Sequence, residues 1–440
     1  MQYSRVSLLI AAVAWSLSAC ESATAKDDLV WAVNVGGDAY RSSDGIDYAA
    51  DEYVNGGEAG AMTSVKGSQD PDLYKTYRHG DIAVNRPIDN GVYDVTFHFA
   101  EPEDIAGGER LFDVLINERI VFKELDVMSY RDGQVRSALT VTAPNVRIED
   151  GELRIAFDAN KKQPVLSALV VRNKNRPELN WELVWSDEFD QDGAPNPDNW
   201  TIRQWPPRVV NSEDQAYTAR EKNVRVEEGM LIIEAHREEY GEAEYTSGRI
   251  YSAGKQDFLY GRFVARAKVP EGQGNWAAIW MLPSDPFKYA SNCSDIVDWQ
   301  GNRDCDAWPN SGEIDILEHV GYLQNHVHGT VHNRAYFFKN FEQRKGRVIF
   351  DDLSESFHDY VVEWYPDRID MYVDDTLYFS YMNENKGWRE WPYDHPFHLI
   401  VNLAIGGDWG RAGGPIDDSK FPQRLLVDYL RVYQLQDDGD

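Results

Sequence analysis

Apolar residues in this chain recur with a period of two, and no long stripe with a period of 3.6 appears anywhere along it. Between Gly91 and Glu101, Tyr93, Val95, Phe97 and Phe99 fall on one face, with Asp94, Thr96 and His98 on the other. Between Tyr260 and Pro270, Phe263, Ala265, Ala267 and Val269 alternate with Arg262, Val264, Arg266 and Lys268. Arg368 to Tyr381 reads as a hairpin turning at Asp374-Asp375, and Leu111 to Phe122 and Leu153 to Asp158 repeat the strand pattern. A chain written this way is all-β. With 440 residues it exceeds what one core supports, so two β-sandwiches are expected. On this reading His98 is a surface or edge residue with no chemical task.

One strand carries unusual chemistry. Glu313-Ile314-Asp315-Ile316-Leu317-Glu318 places three carboxylates in six residues of an apolar, β-branched run. In a regular strand Glu313 and Asp315 share a face and Glu318 points away. Either Glu318 lies on a solvated back face, or a β-bulge at Ile316-Leu317 reverses the phase and brings all three to one side. With the bulge, the two glutamates lie roughly 13 Å apart along the backbone. Their side chains can then lean to about 5 to 5.5 Å, the spacing of a retaining glycosidase, whereas an inverting pair needs about 6.5 to 9.5 Å. Asp315 between them forces the set to titrate together.

The first 25 residues read as an export signal, with Arg5, an apolar run from Leu8 to Leu17, and small residues before Cys20. Leu17-Ser18-Ala19-Cys20 resembles a bacterial lipobox, which would make Cys20 the acylated first residue; the other reading is an ordinary secretory signal. The expected location is the bacterial cell envelope, as an outer-membrane or cell-surface lipoprotein, or otherwise the periplasm or medium. Membrane attachment would be only through lipid at Cys20. Cys293 and Cys305 are then either one disulfide closing a loop or two free thiols. A formal charge of -30 argues against nucleic acid and leans towards neutral glycans. Fourteen Trp and 24 Tyr supply flat faces suited to sugar rings, although most serve packing. No Cys/His cluster has metal-binding spacing, and the chain is expected to be a monomer.

Residues 26–173 resemble a malectin-type domain through Val33-Asn34-Val35-Gly36-Gly37, Leu73-Tyr74-Lys75-Thr76-Tyr77-Arg78, the Gly91–Glu101 strand and Phe112-Asp113-Val114-Leu115-Ile116-Asn117. The resemblance implies glucan binding through loop aromatics, with Tyr48 at one such position. A second expected aromatic is His79, so a structural spacer is the competing reading. Residues 174–180 read as a polar linker.

Residues 181–440 resemble glycoside hydrolase family 16, in its laminarinase-like form. The E-x-D-x-x-E motif is accompanied, in order, by Asn211-Ser212-Glu213-Asp214-Gln215-Ala216-Tyr217-Thr218, Thr246-Ser247-Gly248-Arg249-Ile250, Gly274 to Pro283, Trp308-Pro309, Gly329-Thr330-Val331-His332 and Val427 to Tyr433. The resemblance implies a β-jelly-roll with a polysaccharide cleft on its concave sheet. Glu313 would be the nucleophile, Glu318 the acid and base, and Asp315 the residue that orients Glu313. Asn211, Glu213, Arg249, Trp276, Trp280, Trp308 and His332 would contact substrate. No cofactor is needed for catalysis; a structural calcium near Glu188, Gly229 and Asp428 is implied by resemblance alone. Ser284 to Asp306 reads as an insertion walling the cleft. Ala277 and His319 depart from the family pattern without removing a catalytic group.

The expected activity is endo-acting, retaining hydrolysis of laminarin-like β-1,3-glucan. The alternatives are hydrolysis or transglycosylation of mixed-linkage glucan or a galactan, or a non-catalytic glucan-binding protein; intact Glu313 and Glu318 count against the last. Replacing Cys20 by Ala should move the protein from the membrane fraction to the soluble fraction of a host that matures lipoproteins. Retention of the variant in membranes would sink the lipid-anchor reading.

Overall fold

The computed structural model describes residues 28–131, 133–174, 179–290 and 307–436. Cys20, Cys293 and Cys305, the export segment and most of the expected linker lie outside the described residues. Its regular elements are almost all strands, as the period of two requires.

The N-terminal sandwich has one layer formed by Leu29–Asn34, Ala168–Asn173, Gly91–Phe99 and Leu139–Ile148, and a second six-stranded layer that includes Thr76–Pro87, Glu152–Lys161, Leu111–Ile116 and Arg119–Leu125. The expected single strand from Leu111 to Phe122 is two strands. Asn117 and Glu118 both adopt positive φ, 46° and 67°, which makes the two-residue hairpin turn whose twist matches its strands. Val33, Phe97, Phe99, Phe112, Val114, Phe157 and Leu169 fill the space between layers.

His98 overturns its surface reading. Its strand is central, paired with Ala168–Asn173 on one side and Leu139–Ile148 on the other. The face opposite Phe97 is covered by a second cluster containing Ile46, Tyr48, Leu73 and Tyr74. His98 Nδ1 lies 2.7 Å from the Tyr74 hydroxyl, and burial pushes its pKa down to about 3. Tyr48 likewise sits buried on the Asp47–Ala50 strand and not on an open loop. It helps line a cavity of about 140 Å³ between the two domains, with Asp70, Tyr74, His98, Arg172, Lys345 and Tyr378.

The second domain stacks two sheets. A ten-stranded outer sheet is centred on Gln423–Leu435, Gly261–Lys268 and His358–Trp364. The inner sheet runs through Phe397–Ile405, Asn275–Pro283, Glu313–Val320, His326–His332 and Arg344–Ile349. Ile279, Met281, Ile314, Ile316, Val331, Phe263, Val362, Trp364 and Val401 pack between them. Burying such side chains contributes about 1.5–3 kcal/mol each, and the apolar period that placed them is the same one that leaves alternate residues on the concave face.

The domains are fused more tightly than a linker implies. Arg344–Ile349 pairs in parallel with Leu139–Ile148, Arg347 opposite Val141 and Val348 opposite Thr142, so the inner sheet runs on into the N-terminal sandwich as fourteen strands. That pairing covers what would otherwise be an open sheet edge. Side chains reinforce it: Arg347 sits over the Tyr130 ring at 4.2 Å and bonds the Tyr130 carbonyl at 3.3 Å, and Lys174 pairs with Asp375.

Gly321, immediately after the Glu313–Val320 strand, leaves no room for a side chain, since an added Cβ would stand 1.7 Å from the Gly272 carbonyl oxygen. Gly321→Ala should therefore cost at least about 1–3 kcal/mol, read as a lowered unfolding midpoint; an unchanged midpoint would contradict this packing.

Candidate active site

The catalytic strand is bulged where the sequence places the bulge. Against the neighbouring Asn275–Pro283 strand, Ile279 pairs with Leu317 but Trp280 pairs with Asp315, so Ile316 is the extra residue. Against His326–His332, Asp315 pairs with Thr330 and Glu318 with His328, which places three steps on one strand against two on the other. Ile316 and Leu317 are both buried in the core. The phase reversal turns Glu313, Asp315 and Glu318 to the same concave face, beside Trp276, Ala278 and Trp280 on one neighbour and His328, Thr330 and His332 on the other.

Each carboxyl meets different donors. Trp308 Nε1 donates to Glu313 Oε2 at 2.9 Å. Trp276 Nε1 donates to Glu318 Oε1 at 3.2 Å, and Thr330 Oγ1 to Glu318 Oε2 at 3.3 Å. His332 Nε2 lies 3.4 Å from Asp315 and 3.7 Å from Glu313. Burial raises the pKa of all three carboxyls; repulsion from Asp315 adds to this at Glu313, and repulsion from Glu318 adds to it at Asp315. At Glu318, His332, Lys345, Trp276 and Thr330 oppose the rise. Burial pushes His332 down, leaving it a neutral imidazole at neutral pH. The set therefore retains protons in a range where isolated carboxyls are ionised, as general acid catalysis demands.

The remaining expected contact residues separate into groups. Arg249 is buried with its guanidinium 4.9 Å from both the Trp205 and Trp280 rings, and Trp280 Nε1 donates to Asn402 Oδ1 at 2.7 Å. Arg249 is thus part of the floor, its charge opposed by burial and supported by Tyr217, Glu213 and Glu313. Glu213 is buried, and its Oε2 takes bonds from Gln215 Nε2 at 2.7 Å and Tyr217 OH at 3.1 Å. Asn211 is exposed at the rim with φ 48°, its carbonyl receiving Asp408 N–H. Trp276, Trp280 and Trp308 are all half-buried and reach the carboxyl face.

Sequence reasoning missed Trp205, Trp409, Thr330, Asn402 and Lys345. Trp409 packs edge-on against Trp276 at 5.4 Å and His328 at 4.9 Å, with Lys345 Nζ 5.9 Å from its ring. The run Gly406-Gly407-Asp408-Trp409-Gly410, a lone tryptophan among glycines, is the signal that could have found it.

For the implied calcium, strand register brings Glu188 and Gly229 to either side of Asp428. The Glu188 carboxylate is held by Arg431 at 2.8 Å, and Asp428 lies 3.2 Å from Arg266 Nε. Oxygen donors suit a hard cation, but both side-chain carboxylates here are already paired with arginines. Among the described residues, the one group of three metal-ligating side chains whose ligand atoms lie within 4.8 Å of each other is Glu313, Asp315 and His332, in the carboxyl cluster itself.

A bulged strand that gathers crowded carboxyls on an indole-lined concave sheet is the arrangement of a glycoside hydrolase. The model of Glycosyl hydrolases family 16 matches residues 211–421, and that of the Malectin domain residues 29–180. A beta-glucanase of Rhodothermus marinus is 46% identical over 260 residues, covering 58% of this chain and 85% of that protein. A glucan endo-1,3-beta-glucosidase of Cryptopygus antarcticus is 33% identical, covering 54% and 86%. The solved laminarinase of Rhodothermus marinus, 44% identical, covers 59% of this chain and 100% of that one with a TM-score of 0.54. The chain belongs to glycosyl hydrolase family 16 and carries a malectin domain at its N-terminus.

Thr330→Val removes a hydroxyl that stabilises the ionised form of Glu318, so the Glu318 pKa should rise further. The acid then stays protonated to higher pH, and the alkaline limb of the kcat/KM profile should move upward. A limb that stays put or moves down would contradict this role for Thr330.

Proposed function

We propose that the protein is an endo-acting hydrolase of β-1,3-glucan in which Glu313 and Glu318 divide the chemistry. The carrying observation is the bulge, which sets both carboxyls on one desolvated face while giving each its own indole donor. The relatives named for glucanase and laminarinase activity support the linkage. The acidic chain and the indole-lined floor suit an uncharged glucan.

Glu313, held by Trp308 and flanked by His332, attacks the anomeric carbon. The glycosidic C–O bond breaks as Glu318 delivers its proton to the leaving oxygen, forming a covalent glycosyl-enzyme. Glu318, now a carboxylate steadied by Trp276 and Thr330, takes a proton from water. The water oxygen displaces Glu313, and two inversions give net retention. Asp315 and His332 position Glu313. We further propose that the enzyme is exported and held at the cell envelope through Cys20.

The test is reducing-end release from laminarin, lichenan, agarose, carrageenan and xyloglucan; no release from laminarin would overturn the linkage. Glu313→Gln should lower kcat on the best substrate on the order of 10⁴-fold or more. Glu318→Gln should keep the first step on an aryl glycoside with a good leaving group, and azide should restore turnover. Azide rescue of the Glu313 variant with retention would reverse the two roles.

A further inference from the structure

The loop between His326–His332 and Arg344–Ile349 carries an aromatic side chain that neither the core nor the proposed mechanism uses. Phe338 is 44% exposed. Its ring lies 6.0 Å from that of Trp308, the indole that bonds Glu313, and 6.0 Å from His332. Beneath it Phe337 is buried edge-on against Trp308 at 5.6 Å, so the loop is packed from below while Phe338 faces outward. Lys339 sets its ammonium 5.3 Å from the Trp308 ring and 5.7 Å from the Phe338 ring. An exposed phenyl ring continuing the surface of a catalytic-site indole offers a pyranose its C–H face, with a cation at the edge for hydroxyls.

The N-terminal domain holds one end of this loop directly, at Glu342, and reaches the other end through Glu384. Gly67 N–H bonds Glu342 Oε2 at 3.1 Å, and Lys66 Nζ lies 3.9 Å from Glu342. Gln69 exchanges bonds with the Met382 backbone, at 2.7 and 2.9 Å, and reaches Glu384 at 3.2 Å. Glu384 in turn receives the Tyr336 hydroxyl at 3.0 Å. Residues 66–69 thus hold positions 336 and 342, on either side of Phe338. Inside the loop, Asn340 accepts from the N–H groups of Phe337 and Glu342, which transmits that hold to the ring.

We propose that Phe338 forms with Trp308 a glucan-stacking ledge beside Glu313, and that the N-terminal domain serves catalysis by clamping the loop that carries it. This rests on the reading of the protein as a glucan hydrolase. The sugar contact is made in substrate and transition state alike, so its loss belongs in KM and not in kcat.

The experiment uses the full chain on laminarin. Phe338→Ala should raise KM about tenfold with kcat changed less than twofold and the unfolding midpoint unchanged. Phe338→Trp should return KM to within about twofold of the parent, which a loop-packing role would not do. The paired substitution Gln69→Ala and Glu342→Ala, which touches no ring at the site, should raise KM in the same direction. An unchanged KM in Phe338→Ala, or a fall in kcat alone, overturns the ledge. A raised KM in Phe338→Ala with a parental KM in the clamp variant overturns the part given to the N-terminal domain. Wild-type turnover is read separately: an inactive parent defeats the glucanase reading, whereas an active parent with indifferent variants defeats only this one.

Discussion

The site depends on a single extra residue in one strand. A β-strand alternates strictly, so the five-residue separation of Glu313 and Glu318 would send them to opposite faces without Ile316. The bulge is held from below. Ile316 and Leu317 both lie in the apolar core against the outer sheet, and straightening the strand would have to expel one of them. The neighbouring strands absorb the shift at Ile279/Trp280 and between Thr330 and His328, which orients Trp276, Trp280 and Thr330 towards the carboxyls.

Crowding three carboxyls in a desolvated place is electrostatically costly, and the surroundings limit that cost without cancelling it. Two indole N–H groups, a hydroxyl and a neutral imidazole supply dipoles in place of a contacting full positive charge. A lysine in direct contact would drive the carboxyls to ionise and remove the proton that the leaving group needs. Lys345 acts from the next strand, and Arg249 keeps its charge stacked between two indoles. The result is a cluster that still holds protons where isolated carboxyls are ionised, with donors aimed at the carboxyl oxygens.

The malectin domain changes meaning in this context. Its sheet continues the catalytic sheet through the pairing of Val141 with Arg347, one strand beyond the row that carries His328 and Thr330. The surface that includes Tyr48 and His98 faces the second domain across a small polar cavity. The domain is part of the frame that carries the cleft sheet, and its contacts at Gln69 and Gly67 end on Met382, Glu384 and Glu342 of the second domain.

Periodicity made the all-β class and the carboxyl-bearing strand legible before any coordinates, because side-chain alternation in a strand is a local property of the backbone; it left the bulge as one of two readings, and the register at Ile316 decided it. Period two says which residues share a face; it does not say what covers that face. His98 therefore read as exposed when Tyr48 and Tyr74 bury it. Trp205, Trp409 and Phe338 come to the site from loops distant in sequence, where no period operates. The sequence by itself determined the strands, their polar and apolar faces and the carboxyl chemistry. Only the tertiary structure decided which loops line the cleft and that one sheet joins the two domains, because pairing at a sheet edge uses backbone groups that every residue carries alike.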